Sequence, residues 1–89
     1  MMEALSSQNC PSREDSIAYV INHLSDRTEP IGISSEDLRI VVTMEYEKML
    51  RKGGFGSMAA WYHISAPMLI NNVRLVLEKK YRVSIERAF

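Results

Sequence analysis

Apolar residues first become periodic at Ile17, Val20, Ile21 and Leu24, the i, i+3, i+4, i+7 spacing of one helix face. Ser12, with Asp15 three positions on, has the form of a capping box, so the pattern predicts an amphipathic helix over about 13–25. Upstream, residues 1–11 show no period and read as a flexible tail. Residues 26–32 hold Pro30 and Gly32 and read as a connection. Ser34 and Asp37 repeat the capping pattern, and Leu38, Val41, Val42, Met49 and Leu50 then share a face, with Tyr46 at its border. This second helix should run to about Lys52. Glu36 and Asp37 in its first turn and Lys48, Arg51 and Lys52 in its last suit the helix dipole, and Gly53-Gly54 can stop it.

Beyond the glycines, Ser57 can cap a short helix over 58–62, with a turn at His63-Ile64. Ser65 would be the next N-cap, and Pro67 is tolerated in a first turn. A last helix over 66–80 would bury Leu69, Val73, Val76 and Leu77. Residues 82–86 alternate Val83 and Ile85 with polar positions, the pattern of a short strand or a helical tail. The expected architecture is an all-α domain of about four helices over 12–89, with a helix-turn-helix at 57–80 and room for a short C-terminal strand. No internal repeat or low-complexity segment is present.

Composition changes this picture little. The chain has 89 residues, 46% hydrophobic and 25% charged, which fits one globular domain. A domain of this size buries only roughly 60–65% of its unfolded surface, so a dimer is plausible on size alone. Cys10 is the single cysteine, which rules out an internal disulfide; in a loose tail it reads as a bystander thiol. No apolar run is long enough for a membrane span or a signal peptide, so the expected location is cytoplasmic.

Net charge is zero, but its distribution is uneven. Residues 1–50 carry nine acids and four bases, and residues 51–89 carry seven bases and two acids, a net −5 against +5. Such a split marks either a polar partner for one half or two faces of the fold that attract each other.

Residues 57–77 meet the demands of a helix-turn-helix. Ala59 is the small residue at the close crossing, Met58 and Tyr62 face the core, and Ile64 anchors the turn. Ser65 caps the second helix, and Leu69 is the first core residue along it. The groove-facing positions would be Ser65, Ala66, Met68, Asn71 and Asn72. Asn is suited to adenine, and Ala and Met to a thymine methyl, each good bidentate base contact being worth roughly 1–3 kcal/mol of discrimination. Phosphates would meet Arg51, Lys52, Ser57, Arg74, Lys79 and Lys80. Trp61, outward in this register, and Leu75 would form an oligomer interface. Two features depart from the motif: His63 stands where glycine is common, and Met68, Ile70 and Leu75 make the second helix apolar around most of its circumference.

The stretch from Leu38 through Lys80 resembles helix-turn-helix regulators. Among them it looks most like the enterobacterial fimbrial (adhesin-operon, Pap B type) transcription regulators: a helix ending in Gly53-Gly54, then MAAWYHIS, then an aliphatic-rich helix. The resemblance implies an oligomeric protein that binds AT-rich DNA, with Ser65, Ala66, Met68, Asn71 and Arg74 facing the groove. The Gly pair lies closer to the motif here than in those regulators.

Other chemistry is sparse. His23 and His63 lie 40 residues apart with no second cysteine or acidic cluster, so no metal or cofactor is expected. The Gly53-Gly54-Phe55-Gly56 run lacks the Lys-Ser/Thr of a phosphate loop. No acid–base pair or nucleophile motif is legible, so an enzyme is not expected. Tyr46, Trp61 and Tyr62 are base-stacking residue types, but Tyr46 and Tyr62 fall at core spacings. Arg39, Glu45, Glu47 and Lys48 read as a solvated face.

Two functions follow as expectations. One is a homodimeric, sequence-specific binder of double-stranded DNA that regulates transcription. The other is a small helical protein-interaction module, an adaptor or inhibitor without nucleic-acid binding, using Trp61, Met68, Leu75 and the acidic half. They differ in whether Arg74, Lys79 and Asn71 share an exposed face with Arg51 and Lys52.

Overall fold

A computed structural model describes residues 11–53 and 57–86. Helix α1 spans Arg13–Thr28, a 3₁₀ turn covers Glu29–Ile31, and α2 spans Ser35–Arg51. A single α turn at Met58–Ala60 and a π-helical turn at Trp61–Ser65 then lead directly into α3, Ala66–Tyr81. The protein is all-α, with three long helices and no strand among the described residues. Residues 1–10 of the expected 1–11 tail, with Cys10, lie outside the described residues, as do 54–56 and 87–89.

Both capping serines act as the pattern predicts. Ser12 Oγ accepts from Asp15 N at 3.2 Å and Ser34 Oγ from Asp37 N at 3.1 Å. Ser34→Ala should therefore destabilise the fold by about 1 kcal/mol, read as a lower urea midpoint at unchanged slope. Helix α1 runs past the expected boundary to Thr28, which is buried, its hydroxyl donating to Leu24 O at 3.1 Å. Pro30 then sits where a 3₁₀ turn tolerates it, and Gly32 takes the left-handed conformation at φ 87°. The reversal returns Ile33 to the core, Ile33 N donating to Thr28 O at 3.1 Å.

The core is one cluster. Ile17, Val20 and Leu24 of α1 meet Leu38, Val41, Val42 and Tyr46 of α2 and Ala66, Leu69, Ile70, Val73 and Leu77 of α3, joined by Ile33, Trp61 and Ile85. Each long helix packs on the other two. On α2 the sequence reading assigned Leu50 to this face, but Leu50 is exposed and Met49 half-buried. Adjacent residues lie about 100° apart on a helix, and only Met49 stays in line with Leu38 and Val42. Glu45, read as solvated, is buried and bonds Lys48 Nζ at 3.1 Å. On α3 Val76 was expected inside and is exposed, because the buried arc is centred on Leu69, Ile70, Val73 and Leu77 and leaves Val76 at its edge.

Polar links tie the helices together at their ends. Arg13 Nη2 meets Glu47 Oε2 at 2.6 Å, joining α1 to α2, and this bond raises the Arg13 pKa above its ordinary value. Lys80 Nζ meets Asp37 Oδ2 at 3.4 Å, joining the end of α3 to the first turn of α2.

Residues 82–86 form neither a strand nor a helical tail. Arg82 takes a left-handed conformation at φ 58°, Val83 N donates to Glu78 O at 3.2 Å, and the chain folds back so that Ile85 enters the core. The alternation of Val83 and Ile85 marks an extended strap laid on the bundle, for which no pairing strand exists among the described residues.

Candidate interaction surface

The segment from Met58 to Tyr81 is helical without a break, so the expected turn at His63-Ile64 is absent. In its place, Ala66 N–H reaches back five residues to Trp61 O, the signature of a π turn. That bond inserts one residue into the helical phase. Continued as a regular α-helix from Leu69 and Ile70, the core line would run through Tyr62 and leave Trp61 outside. With the insertion it runs through Trp61, which is 0% exposed, and Tyr62 and His63 face outward. The ring of Trp61 lies 6.3 Å from that of Tyr19 on α1, which also meets the Tyr62 ring in an edge-to-face contact at 5.2 Å.

This change relocates much of the sequence-assigned site. Ser65 has helical backbone angles, makes no side-chain cap bond and is buried, as is Ala66. Neither occupies the exposed tip of a recognition helix. Trp61 is a core residue and not a surface contact. Ser57 does cap, its Oγ accepting from Ala60 N at 3.2 Å.

Arg74 is withdrawn as well, its side chain only 8% exposed. Nη1 bonds Glu78 Oε2 at 3.1 Å and reaches Ile85 O at 3.4 Å, while Nη2 bonds Asn71 Oδ1 at 2.7 Å. Glu78 Oε2 in turn accepts from Ile85 N at 2.7 Å. Arg74 thus clamps the C-terminal strap to α3. Its bond also engages the amide oxygen of Asn71, which a bidentate contact to adenine would need. No pattern in the chain marks this role, because a cation on an apolar helix looks the same whether it faces water or a backbone carbonyl.

The outward face of α3 has a different character. Ile64, expected as the buried anchor, is 60% exposed; Met68 is 53% and Leu75 48% exposed. With Asn71 they fall at 64, 68, 71 and 75, the 4–3–4 spacing that lines up side chains along one helix. Beside this stripe Met49, Lys52, Ser65, Met68 and Asn72 line a groove of about 280 Å³ between the end of α2 and the start of α3. Lys79 lies one turn beyond Leu75, and Arg51 and Lys52 end α2, all exposed. Asn71 and Lys79 therefore belong to a surface that borders Lys52, and Arg74 does not.

Sequence reasoning also passed over Ile40 and Met44, exposed on α2. Their i, i+4 spacing away from Leu38 and Val42 was legible.

No helix among the described residues is long and apolar enough to cross a membrane, and no group of three or more His, Cys, Asp or Glu among them converges on a metal position. The fold and this surface define a small three-helix bundle carrying an exposed apolar stripe on its last helix. No protein-family model, curated protein or solved structure matches the chain.

Proposed function

We propose that the protein is a small helical protein-interaction module that receives its partner on the outward face of α3. The observation that carries this reading is the row of Ile64, Met68 and Leu75, each about half exposed or more, beside an open groove. Contiguous apolar surface of this kind lowers solubility unless something covers it, and in soluble proteins it marks interaction sites. The groove-reading alternative keeps Met68, Asn71 and Asn72 on the surface. It loses Ser65 and Ala66 to the core and Arg74 to its bonds with Glu78, Asn71 and Ile85.

A photo-crosslinking side chain placed at 68 or 75, in cells expressing the protein, should yield discrete protein adducts. The same group at Arg39, exposed on α2, should not, and Leu75→Glu should abolish the adducts at 68. The purified chain titrated with labelled duplex DNA should show no steep salt dependence. Tight binding that weakens strongly with salt, without adducts at 68 or 75, would reject the module and restore the resemblance to DNA-binding regulators.

A further inference from the structure

The charges around the stripe indicate what kind of partner it takes. Every acidic side chain packed near the helix ends of this surface already has a cation: Glu45 has Lys48, Asp37 has Lys80 and Glu78 has Arg74. Arg51, Lys52 and Lys79, by contrast, have no ion-pair partner among the described residues, and all three are exposed. Lys52 lines the groove itself, and Lys79 continues the line of Leu75. The surface therefore carries Ile64, Met68 and Leu75 with Asn71 between the last two, and unpaired positive charge at Lys52 beside the groove and at Lys79 beyond Leu75. Of the unengaged acids, Asp15, Glu29 and Glu36 lie at the start of α1 and around the α1–α2 connection, and Glu86 lies at the end of the strap, next to the buried Ile85.

We infer that the partner segment is an amphipathic helix whose apolar stripe is flanked by carboxylates, lying along α3 with its acidic flanks on Lys52 and Lys79. This rests on the interaction reading above and narrows it. A helix fits because the receiving surface is a helix face with a groove beside its first turns. From Ile64 to Lys79 it runs about 22 Å, and a partner helix of about 15 residues matches that length with anchors every three or four positions. A strand would need a free sheet edge, and no sheet exists among the described residues. A second copy placed symmetrically on the same face would bring its lysine-bearing ends against those of the first, whichever way the helices run, a like-charge contact that works against association.

The test uses the full chain and two synthetic helical peptides sharing a leucine stripe, one flanked by glutamates and the other by lysines. Fluorescence anisotropy should show the glutamate peptide binding at least about tenfold more tightly at low salt, with the gap closing as salt rises. Lys52→Glu combined with Lys79→Glu should reverse the preference, and Met68→Glu should remove binding of both peptides. All three positions are exposed, and far-UV circular dichroism with a thermal melt checks that the variants remain folded. Equal binding of the two peptides, lost in Met68→Glu, would overturn the acidic partner while leaving the interaction surface in place. A concentration-dependent dimer in sedimentation, dispersed by Met68→Glu, would overturn it in favour of a second copy. Binding of neither peptide would overturn the inference. The crosslinks at 68 and 75 would then decide separately whether the surface reading also falls.

Discussion

Trp61→Ala should cost about 3–5 kcal/mol of folding stability, the range for truncating a buried large aromatic. Its neighbour Tyr62→Ala should cost about 1 kcal/mol, since Tyr62 is 42% exposed and loses chiefly its edge contact with Tyr19. The contrast tests the π turn. In an unbroken α-helix the core line passes through 62, and the two losses exchange places. In the π-helical phase Trp61 fills the space between α1 and α3 beside Tyr19, with no exposed surface, and its removal leaves a void too large for the neighbours to close. Small domains have total stabilities near the low end of about 5–15 kcal/mol, so the alanine variant risks being unfolded at room temperature. Trp61→Phe gives the intermediate case, retaining part of the ring volume. Urea melts of the three variants, followed by far-UV circular dichroism, provide the measurement. Equal losses at 61 and 62 would place the phase elsewhere.

The same π turn marks the limit of what periodicity could show. Helices α1 and α2 were legible because two independent signals agreed on each: a serine cap at the start and an i, i+3, i+4 apolar face behind it. Ser12 and Ser34 make the bonds their positions imply. The core residues of α3, Leu69, Val73 and Leu77, were legible from their apolar spacing alone.

Between Ser57 and Ala66 the signals conflict. Ser65 before Pro67 has the form of a helix start, yet the chain is already helical there, and Pro67 follows directly on the π bond from Ala66 N–H to Trp61 O. Apolar Met58, Tyr62 and Ile64 looked like a core face, and Trp61 like its solvent side. A one-residue phase shift turns Tyr62 and Ile64 outward and Trp61 inward, leaves Met58 half-buried, and has no trace in composition or spacing. The candidate site was mislocated through this shift: Ser65 and Ala66 moved in and Ile64 moved out. Met68, Leu75 and Lys79 lie far enough along α3 to keep their expected exposure, and the interaction surface is built on them.

The Arg74 clamp was illegible for another reason. Its partners are a carboxylate one turn away and a backbone carbonyl eleven residues on, and the second depends on the left-handed reversal at Arg82. Glu78→Ala should be among the most damaging polar substitutions in the protein. It removes the acceptor of Ile85 N and leaves the guanidinium of Arg74, 8% exposed, without its counter-charge. Breaking a fully buried ion pair costs about 3–5 kcal/mol, and because Glu78 is itself 25% exposed a loss of about 2–3 kcal/mol is expected. Glu78→Gln keeps an acceptor for Ile85 N and should lose about half as much. If the cost is that of the stranded charge, Glu78→Ala combined with Arg74→Met should recover stability relative to Glu78→Ala alone, since an apolar side chain of similar length suits the same space. Hydrogen exchange separates local from global damage. The amides of Val83 and Ile85 should exchange faster in Glu78→Ala while those of Leu69 and Val73 stay protected, because the strap opens before the bundle does. Uniform acceleration across α3 would mean that the strap is part of the cooperative core and that Arg74 and Glu78 hold the whole helix in place.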